Sequence, residues 1–307
     1  MSPLAGVRVA VTGASGFCGA AVARLAAAAG ADVVCLGRRP GPVGAHVPWD
    51  ASAHPPDLTG ADVVVHLAAA VGDPGRGAAA EAAFRAVNVD GTARLLDAAA
   101  GRRVVWVGSA SAYRPGPYAA PVGEDHPRDA QRSAYGRTKA AGDALALAAG
   151  AVVLRPRAVY GDGDRHLLPR LRAAARGGRV LLPGPDVPMS LTAVGNLAGA
   201  CLAALRWPAG AYNVADARAY RRDAVVAAAT GVPVRHVPAG LARAAAAGAT
   251  AWASLTGAAP ALTRYAVDQL TDGMVLDTAK ARATGWAPRE TFEEFVSRCT
   301  GPRSGPP

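Results

Sequence analysis

Tyr135 and Lys139 stand four residues apart in Ser133-Ala134-Tyr135-Gly136-Arg137-Thr138-Lys139, a stretch that opens a helix expected to run to about Ala149. Residues at that spacing share one helix face. An ammonium beside a phenol favours the phenolate and brings its pKa down toward working pH, so the phenol can exchange a proton with a substrate oxygen. Alone the pair means little, because exposed helical pairs are common. A second segment gives it company. Gly108-Ser109-Ala110-Ser111-Ala112-Tyr113 leaves the carboxyl end of an expected strand, Arg103 to Val107, which is where open parallel sheets bind ligands. Ser109 and Ser111 place two hydroxyls, and Tyr113 a phenol, at that strand end.

These groups need a partner for the proton chemistry, and the start of the chain offers one. Thr12-Gly13-Ala14-Ser15-Gly16-Phe17-Cys18-Gly19 lies between an apolar run, Val7 to Val11, and an alanine-rich run, Ala20 to Ala29. Strand, glycine turn and helix therefore follow without a gap. In a chain with 36 glycines the bare spacing would be weak; the context makes it a dinucleotide-binding turn. Gly13 turns the chain, Gly16 lets backbone approach a pyrophosphate, and Gly19 lets the helix pack closely on the strand. Ser15, Phe17 and Cys18 complete the candidate cofactor contacts, with the free N–H groups of the helix start facing the anion.

The elements that position these groups follow in order. Asp32 to Leu36 is a short β-branched run, the second strand of a βαβ unit. An acidic residue at its end would bind ribose hydroxyls of NAD; Gly37-Arg38-Arg39 stands there instead, and a guanidinium suits a 2′-phosphate. NADP is therefore expected over NAD, with Arg38 and Arg39 as its contacts. A third strand near Ala45 to Pro48 ends at Trp49-Asp50, where Asp50 could accept from the adenine amino group. Asp62 to His66 is the next strand, and Leu67, Ala68, Ala69 and Ala70 are small enough for a cofactor to lie against its end. His66, inside an apolar strand, reads as structural. One long helix is expected from about Gly77 to Ala100, with Asn88 a polar residue in an alanine-rich pattern.

Taken together, the Gly13-Gly16-Gly19 turn, Asn88, the Ser109 to Tyr113 segment, Tyr135/Lys139 and Leu154-Arg155-Pro156-Arg157-Ala158-Val159-Tyr160-Gly161 resemble the extended short-chain dehydrogenase/reductase superfamily, the NAD-dependent epimerase/dehydratase family. The resemblance covers nearly the whole chain. It implies an α/β fold: a Rossmann-type, doubly wound sheet of seven parallel strands with a smaller, mostly C-terminal substrate domain. It also implies Tyr135 as acid/base, Lys139 as the group that tunes it and holds the ribose, Asn88 in support of the proton path, and Pro156, Ala158 and Val159 facing the nicotinamide. The family places its catalytic Ser or Thr four residues before a tyrosine that matches Tyr113. This points to Ser109, with Ser111 and Tyr113 as substrate contacts.

On that frame the dinucleotide-binding domain is expected over 1–160, completed by core pieces near 190–230, the substrate domain mainly over 161–300, and a mobile tail over 301–307. Short strands are expected at Val180 to Leu182 and Met189 to Thr192, and helices at Val194 to Leu205 and Tyr220 to Thr230. With 51% hydrophobic residues, 307 residues suffice for a sizeable core. The net charge of +10 suggests anionic partners, yet the basic residues cluster only in pairs and aromatic content is 5%, which argues against nucleic acid. No signal peptide and no membrane span is readable. Ala239 to Ala261, whose only charge is Arg243, reads as a buried or lid helix. Cys18, Cys35, Cys201 and Cys299 match no metal-ligand spacing, and free thiols in a reducing cytoplasm are the plain expectation. A homodimer is compatible with the pattern.

Departures from the family narrow the chemistry. Family dehydratases carry Thr-Asp-Glu where this chain has Ser109-Ala110-Ser111, which disfavours removal of water. Ser190 to Leu197, Pro260 to Arg264 and the later Gly285-Trp286 segment resemble the 3β-hydroxysteroid dehydrogenase and dihydroflavonol reductase branch. Three readings stand: an NADP-dependent reductase or dehydrogenase of a carbonyl or secondary alcohol on a largely apolar small molecule, a sugar-nucleotide epimerase or ketoreductase, and a non-catalytic cofactor-binding protein. The substrate pocket is expected to be mainly apolar, with no two arginines converging in it, and to draw on Tyr113 to Tyr118, Arg157 to Leu191 and His236 to Leu262.

Overall fold

The first strand, buried from its second residue onward, divides its side chains between two cores. In the computed structural model, which describes residues 3–72, 78–164, 167–256 and 263–300, β1 (Arg8–Thr12) sends Val9 and Val11 to one face and Ala10 to the other. With β2 (Asp32–Gly37), β3 (Ala45–Pro48), β4 (Val63–His66), β5 (Arg103–Val107), β6 (Val152–Pro156), and a later strand, Gly210–Val214, it forms one parallel sheet. The spatial order reverses at β1: Gly210–Val214, β6, β5, β4, β1, β2, β3. The chain leaves β1 for a helix on one face and β4 for helices on the other, which opens the crevice where such sheets bind ligands.

The helices cover both faces. On one, α1 (Phe17–Ala28) packs beside a later helix, Val194–Ala203, over Val9, Val11, Val65 and Leu154. On the other lie α2 (Ala78–Arg85), α3 (Gly91–Ala98) and α4 (Ala134–Ala148), over Ala10, Val64, Trp106 and Val153. The single helix expected over 77–100 is instead two, joined by a π-helical turn at Ala86–Asp90; Gly77 itself lies outside the described residues. The extra residue of that turn pushes Asn88 inward, where its side chain finds partners that a straight alanine-rich helix would not give it.

The second half of the chain holds the smaller elements. They are β7 (Val159–Tyr160), α5 (Leu167–Ala173), β8 (Val180–Pro183), β9 (Pro188–Met189), β10 (Thr192–Ala193), α6 (Val194–Ala203), β11 (Gly210–Val214), β12 (Tyr220–Arg221), α7 (Arg222–Thr230), β13 (Val234–Val237), α8 (Ala239–Thr256), α9 (Arg264–Thr271), α10 (Ala279–Arg282) and α11 (Phe292–Thr300). The run expected as one strand over 189–192 is two short ones with different partners, because Met189 pairs with Tyr220 and Thr192 with Val159. The helix expected over 220–230 begins two residues later, Tyr220 and Arg221 being β12. Thus β11 closes the main sheet, while β8 and β13 pair apart from it.

Buried polar groups tie the layers. Asp143 on α4, fully buried, receives Arg155 of β6 through two hydrogen bonds, Nε to Oδ2 at 2.7 Å and Nη2 to Oδ1 at 2.8 Å. Arg128 donates to the same carboxylate. Asp216, also buried, accepts from the hydroxyls of Tyr160 and Tyr220 and from Asn196, and burial raises its carboxyl above the usual range. Among the described residues no helix is long and apolar enough to cross a membrane. Residues 257–262, which end the low-charge stretch and contain Pro260, lie outside the described residues, as do Arg165 and the 301–307 tail.

Candidate active site

The crevice at the switch point begins with the glycine turn. Gly13 adopts φ +67°, and a Cβ there would meet the Ala68 backbone at 2.9 Å; a Cβ on Gly19 would meet the Gly13 carbonyl at 2.3 Å. A side chain at Gly13 would push the turn off the Ala68 backbone, and one at Gly19 would push the helix off the turn. Gly16 is the N-cap of α1 and no side chain caps the helix, whose first turn holds no acidic residue. The N-terminal amides and their partial positive charge are thus available to an anion. Cys18 does not oppose it: burial, with a smaller effect of Asp164, pushes the thiol up to about 12, so it stays neutral. These features fit a dinucleotide pyrophosphate at Gly13, Ser15, Gly16, Phe17 and Cys18.

Further along, Arg38, Arg39 and Asp50 line the outer end of the same crevice, and Leu67, Ala68 and Ala69 its floor. Both arginines are exposed and follow β2 directly. Asp50 Oδ1 accepts from the Ser52 amide and hydroxyl, at 2.9 and 2.6 Å, which holds its carboxyl below the usual range. Thr12 holds the floor: its Oγ1 accepts from Leu67 N and Ala68 N and meets His66 Nδ1 at 2.7 Å. Both lone pairs of that hydroxyl are taken, so its proton goes to Nδ1 and the His66 ring carries its own on Nε2. Burial pushes the imidazole down to about 3, so His66 is a neutral strut and not an acid/base.

The proton-bearing groups sit at the inner end. Ser133 caps α4 by accepting from Gly136 N at 3.1 Å. One residue into the helix, Tyr135 is half-buried and lines the crevice, as do Lys139, Pro156, Ala158 and Val159. Lys139, only 3% exposed, donates from Nζ to the Val107 carbonyl at 2.7 Å and lies 4.1 Å from the Trp106 ring centre. Burial brings its ammonium down to about 7, against the smaller opposing pull of Asp143. Ser109, at the end of β5, accepts from Ser111 N at 3.1 Å and also faces the crevice, as does Ser111.

Two sequence expectations take a different form. The Tyr113 hydroxyl donates to Asn213 at 2.6 Å and accepts from Arg155 at 2.9 Å, in a residue 1% exposed. The hydroxyl of this expected substrate contact is thus part of the network behind α4. Asn88 does not aim at the proton-bearing groups. Its side chain accepts from Ala70 N at 2.8 Å and donates to Ala70 O and Thr138 Oγ1, each at 3.0 Å. It fastens the floor loop to α4, one residue before Lys139.

Sequence reasoning missed the wall made by α9 and the segments around Gln131 and Met274, all of which line the crevice. Their only signal was the amphipathic pattern of 264–271, which gives no hint of what it faces. Arg132 and Arg157 both line the crevice and both act electrostatically on Tyr118. Each is engaged: Arg132 pairs with Asp268 at 2.5 Å and Asp272 at 3.6 Å, and Arg157 donates to the Met274 carbonyl at 3.1 Å. The crevice continues past them between α5, β8, α8 and α9, for a total volume of about 1800 Å³.

The wider comparisons agree with this geometry. Solved structures with the same fold include MoeE5 in complex with UDP-glucose and NAD, 24% identical with a TM-score of 0.72 over 95% of this chain and 96% of that one. A short-chain dehydrogenase/reductase superfamily protein from Agrobacterium tumefaciens with bound NAD is also 24% identical, with a TM-score of 0.71 over 95% of each chain. The chain is 33% identical over 270 residues to 4-hydroxy-2-methyl-3-oxo-4-farnesyl-3,4-dihydroquinoline-1-oxide ketoreductase of Stigmatella aurantiaca, covering 80% of this chain and 79% of that protein. The family model for the NAD dependent epimerase/dehydratase family matches residues 9–215. With its glycine turn, switch-point crevice and these relatives, the chain belongs to the NAD-dependent epimerase/dehydratase family and is an NAD(P)-dependent enzyme.

Proposed function

We propose that the protein is an NADPH-dependent ketoreductase that interconverts a carbonyl and a secondary alcohol on a largely apolar small molecule. The observation that carries the reading is the continuity of the crevice: the stretch beside Ser109 and Tyr135 runs on into walls made of Leu182, Val237, Leu241, Ala245, Val267 and Leu270. The Stigmatella relative is a ketoreductase whose named substrate bears a farnesyl group, which supports the same substrate character. When bound, the nicotinamide supplies the hydride. Tyr135 gives its phenolic proton to the carbonyl oxygen as the carbon gains the hydride, so one C=O π bond is replaced by a C–H and an O–H bond. Ser109 donates a hydrogen bond to that oxygen and orients it. Lys139, when charged, favours the phenolate left behind. Asn88 and Thr138 hold the helix that carries both groups.

Arg38 and Arg39 favour NADP, because two exposed guanidiniums and no carboxylate follow β2. The related structures hold NAD, so the test compares both cofactors directly. The sugar-nucleotide reading has one observation of its own, Arg132 and Arg157 near Tyr118; their engagement with Asp268, Asp272 and Met274 weighs against a diphosphate there. The purified protein is to be assayed by NADPH and NADH absorbance against apolar ketones, with calorimetry against UDP and TDP. Ketone reduction with NADPH ahead of NADH is expected. Micromolar UDP or TDP binding with no ketone turnover would overturn the reading in favour of the sugar-nucleotide enzyme.

A further inference from the structure

A binding cleft for one small molecule measures about 300–1,000 Å³, so a crevice of about 1800 Å³ has room beyond the cofactor and the reacting carbonyl. The extra room lies between α5, β8, α8 and α9, and its walls are mostly apolar, with Arg170, Arg176 and Gln269 also lining it. On α8, Ala242 and Ala246 pack inward on Val267 and Val237. The adjacent face turns Leu241 and Ala245 to the crevice. The one charge of α8 among its described side chains, Arg243, is held away from that face by Asp268. On β8, Val180 and Leu182 anchor the wall while Leu181 stands at the rim.

Two large apolar side chains on these walls are left in water: Leu181 is 56% exposed and Leu241 is 66% exposed. Arg170 and Arg176 line the same crevice and are exposed. An apolar wall of this kind gains most from a ligand that covers both leucines at once, and a chain that threads between them does so. We propose that this half of the crevice is a tail chamber for a straight hydrocarbon chain carried by the ketone, open at its far end between Leu181 and Leu241. The inference rests on the ketoreductase reading and adds the class of substrate, a long-chain ketone whose carbonyl lies near one end. Because the chamber is open, it measures a minimum chain length and sets no maximum. Each methylene that enters contributes until the chain passes the two leucines, and further carbons reach solvent and contribute nothing.

A homologous series of straight-chain methyl ketones, butanone to hexadecanone, tests this with the full-length protein and saturating NADPH. The expected result is a rise in kcat/KM of about fourfold per added methylene, followed by a plateau. Ala245→Phe puts a ring on an exposed, crevice-facing position, so the fold tolerates it. It should cut the ratio of dodecanone to butanone kcat/KM by at least about tenfold. Ketone turnover without dependence on chain length, or an unchanged ratio in Ala245→Phe, overturns the chamber and leaves the ketoreductase reading standing. A second arm separates the opposite case: straight-chain alcohols displace anilinonaphthalene sulfonate from the protein. If no ketone is reduced yet displacement strengthens with alcohol length and weakens in Ala245→Phe, the chamber stands and the ketoreductase reading falls. Displacement without length dependence overturns the chamber.

Discussion

Replacing Lys139 by methionine should make the protein more stable in a pH-dependent way while it disables the site. The wild-type ammonium is 3% exposed, and burial brings it from the usual 10.5 to about 7. Between those values the unfolded chain holds a proton that the folded chain has released. Stability therefore rises with pH across that window and is flat below it, the sign that belongs to a base whose folded pKa is depressed. With one pKa unit equivalent to about 1.4 kcal/mol, the wild type should gain roughly 2 kcal/mol between about pH 7 and 9 from this group alone. The thioether of Lys139→Met has nothing to titrate, so the difference between variant and wild type should shrink by that amount over the same interval. The variant should be the more stable of the two at pH 7, with part of its gain offset by the Val107 carbonyl, which loses its donor. Urea unfolding of the cofactor-free proteins at several pH values, followed by tryptophan fluorescence, reads the difference directly. Groups that do not interact with Lys139 cancel because both proteins share them. Parallel stability curves for the two proteins would refute the reasoning, since they would mean that Lys139 titrates alike in the folded and unfolded chain.

Tyr135→Phe keeps the ring and deletes the proton, so kcat should fall about a hundredfold or more while cofactor affinity, measured by fluorescence titration, stays close to wild type. Arg38→Asp should weaken NADP binding by about tenfold or more and leave NAD within a few-fold, because it removes a phosphate partner and adds repulsion; calorimetry with both cofactors checks this. Asp143→Asn leaves the Arg155 guanidinium buried with its carboxylate removed, and should cost about 3–5 kcal/mol in denaturant unfolding. An effect below about 1 kcal/mol would mean that Arg155 finds another partner or reaches water.

What the sequence made legible was local. The glycine turn, the β-branched strands and the Tyr135/Lys139 face each depend on residues within a few positions and could be read directly, while the seven-stranded parallel sheet was implied by the family resemblance. What it hid depends on distant partners. The Tyr113 hydroxyl turns inward because of Arg155, 42 residues away, and Asn213, 100 residues away. Neither distance leaves a pattern in the Ser109 to Tyr113 segment. The π turn was hidden for another reason. An alanine-rich run carries no break signal, and only Asn88, polar in the middle of it, marks where the helix departs from its regular course. The α9 wall was missed because an amphipathic octet announces that it has a buried face without saying what it faces.

The Asn88 clamp has a consequence for how such an enzyme can change. Its side chain joins the floor loop to the helix of Tyr135 and Lys139, and Gly142 on that helix comes so near the Asn88 carbonyl that a Cβ would sit 2.6 Å from it. Floor, π turn and α4 are therefore one stiff block, and a substitution within it disturbs the chemistry at once. The α8 and α9 walls belong to no such block: they meet each other through alanines and Val267, side chains that can be traded without touching the clamp. On the proposed reading, reactivity and choice of substrate are separately heritable: mutational drift can re-cut the walls while the block that carries Tyr135 and Lys139 stays unchanged.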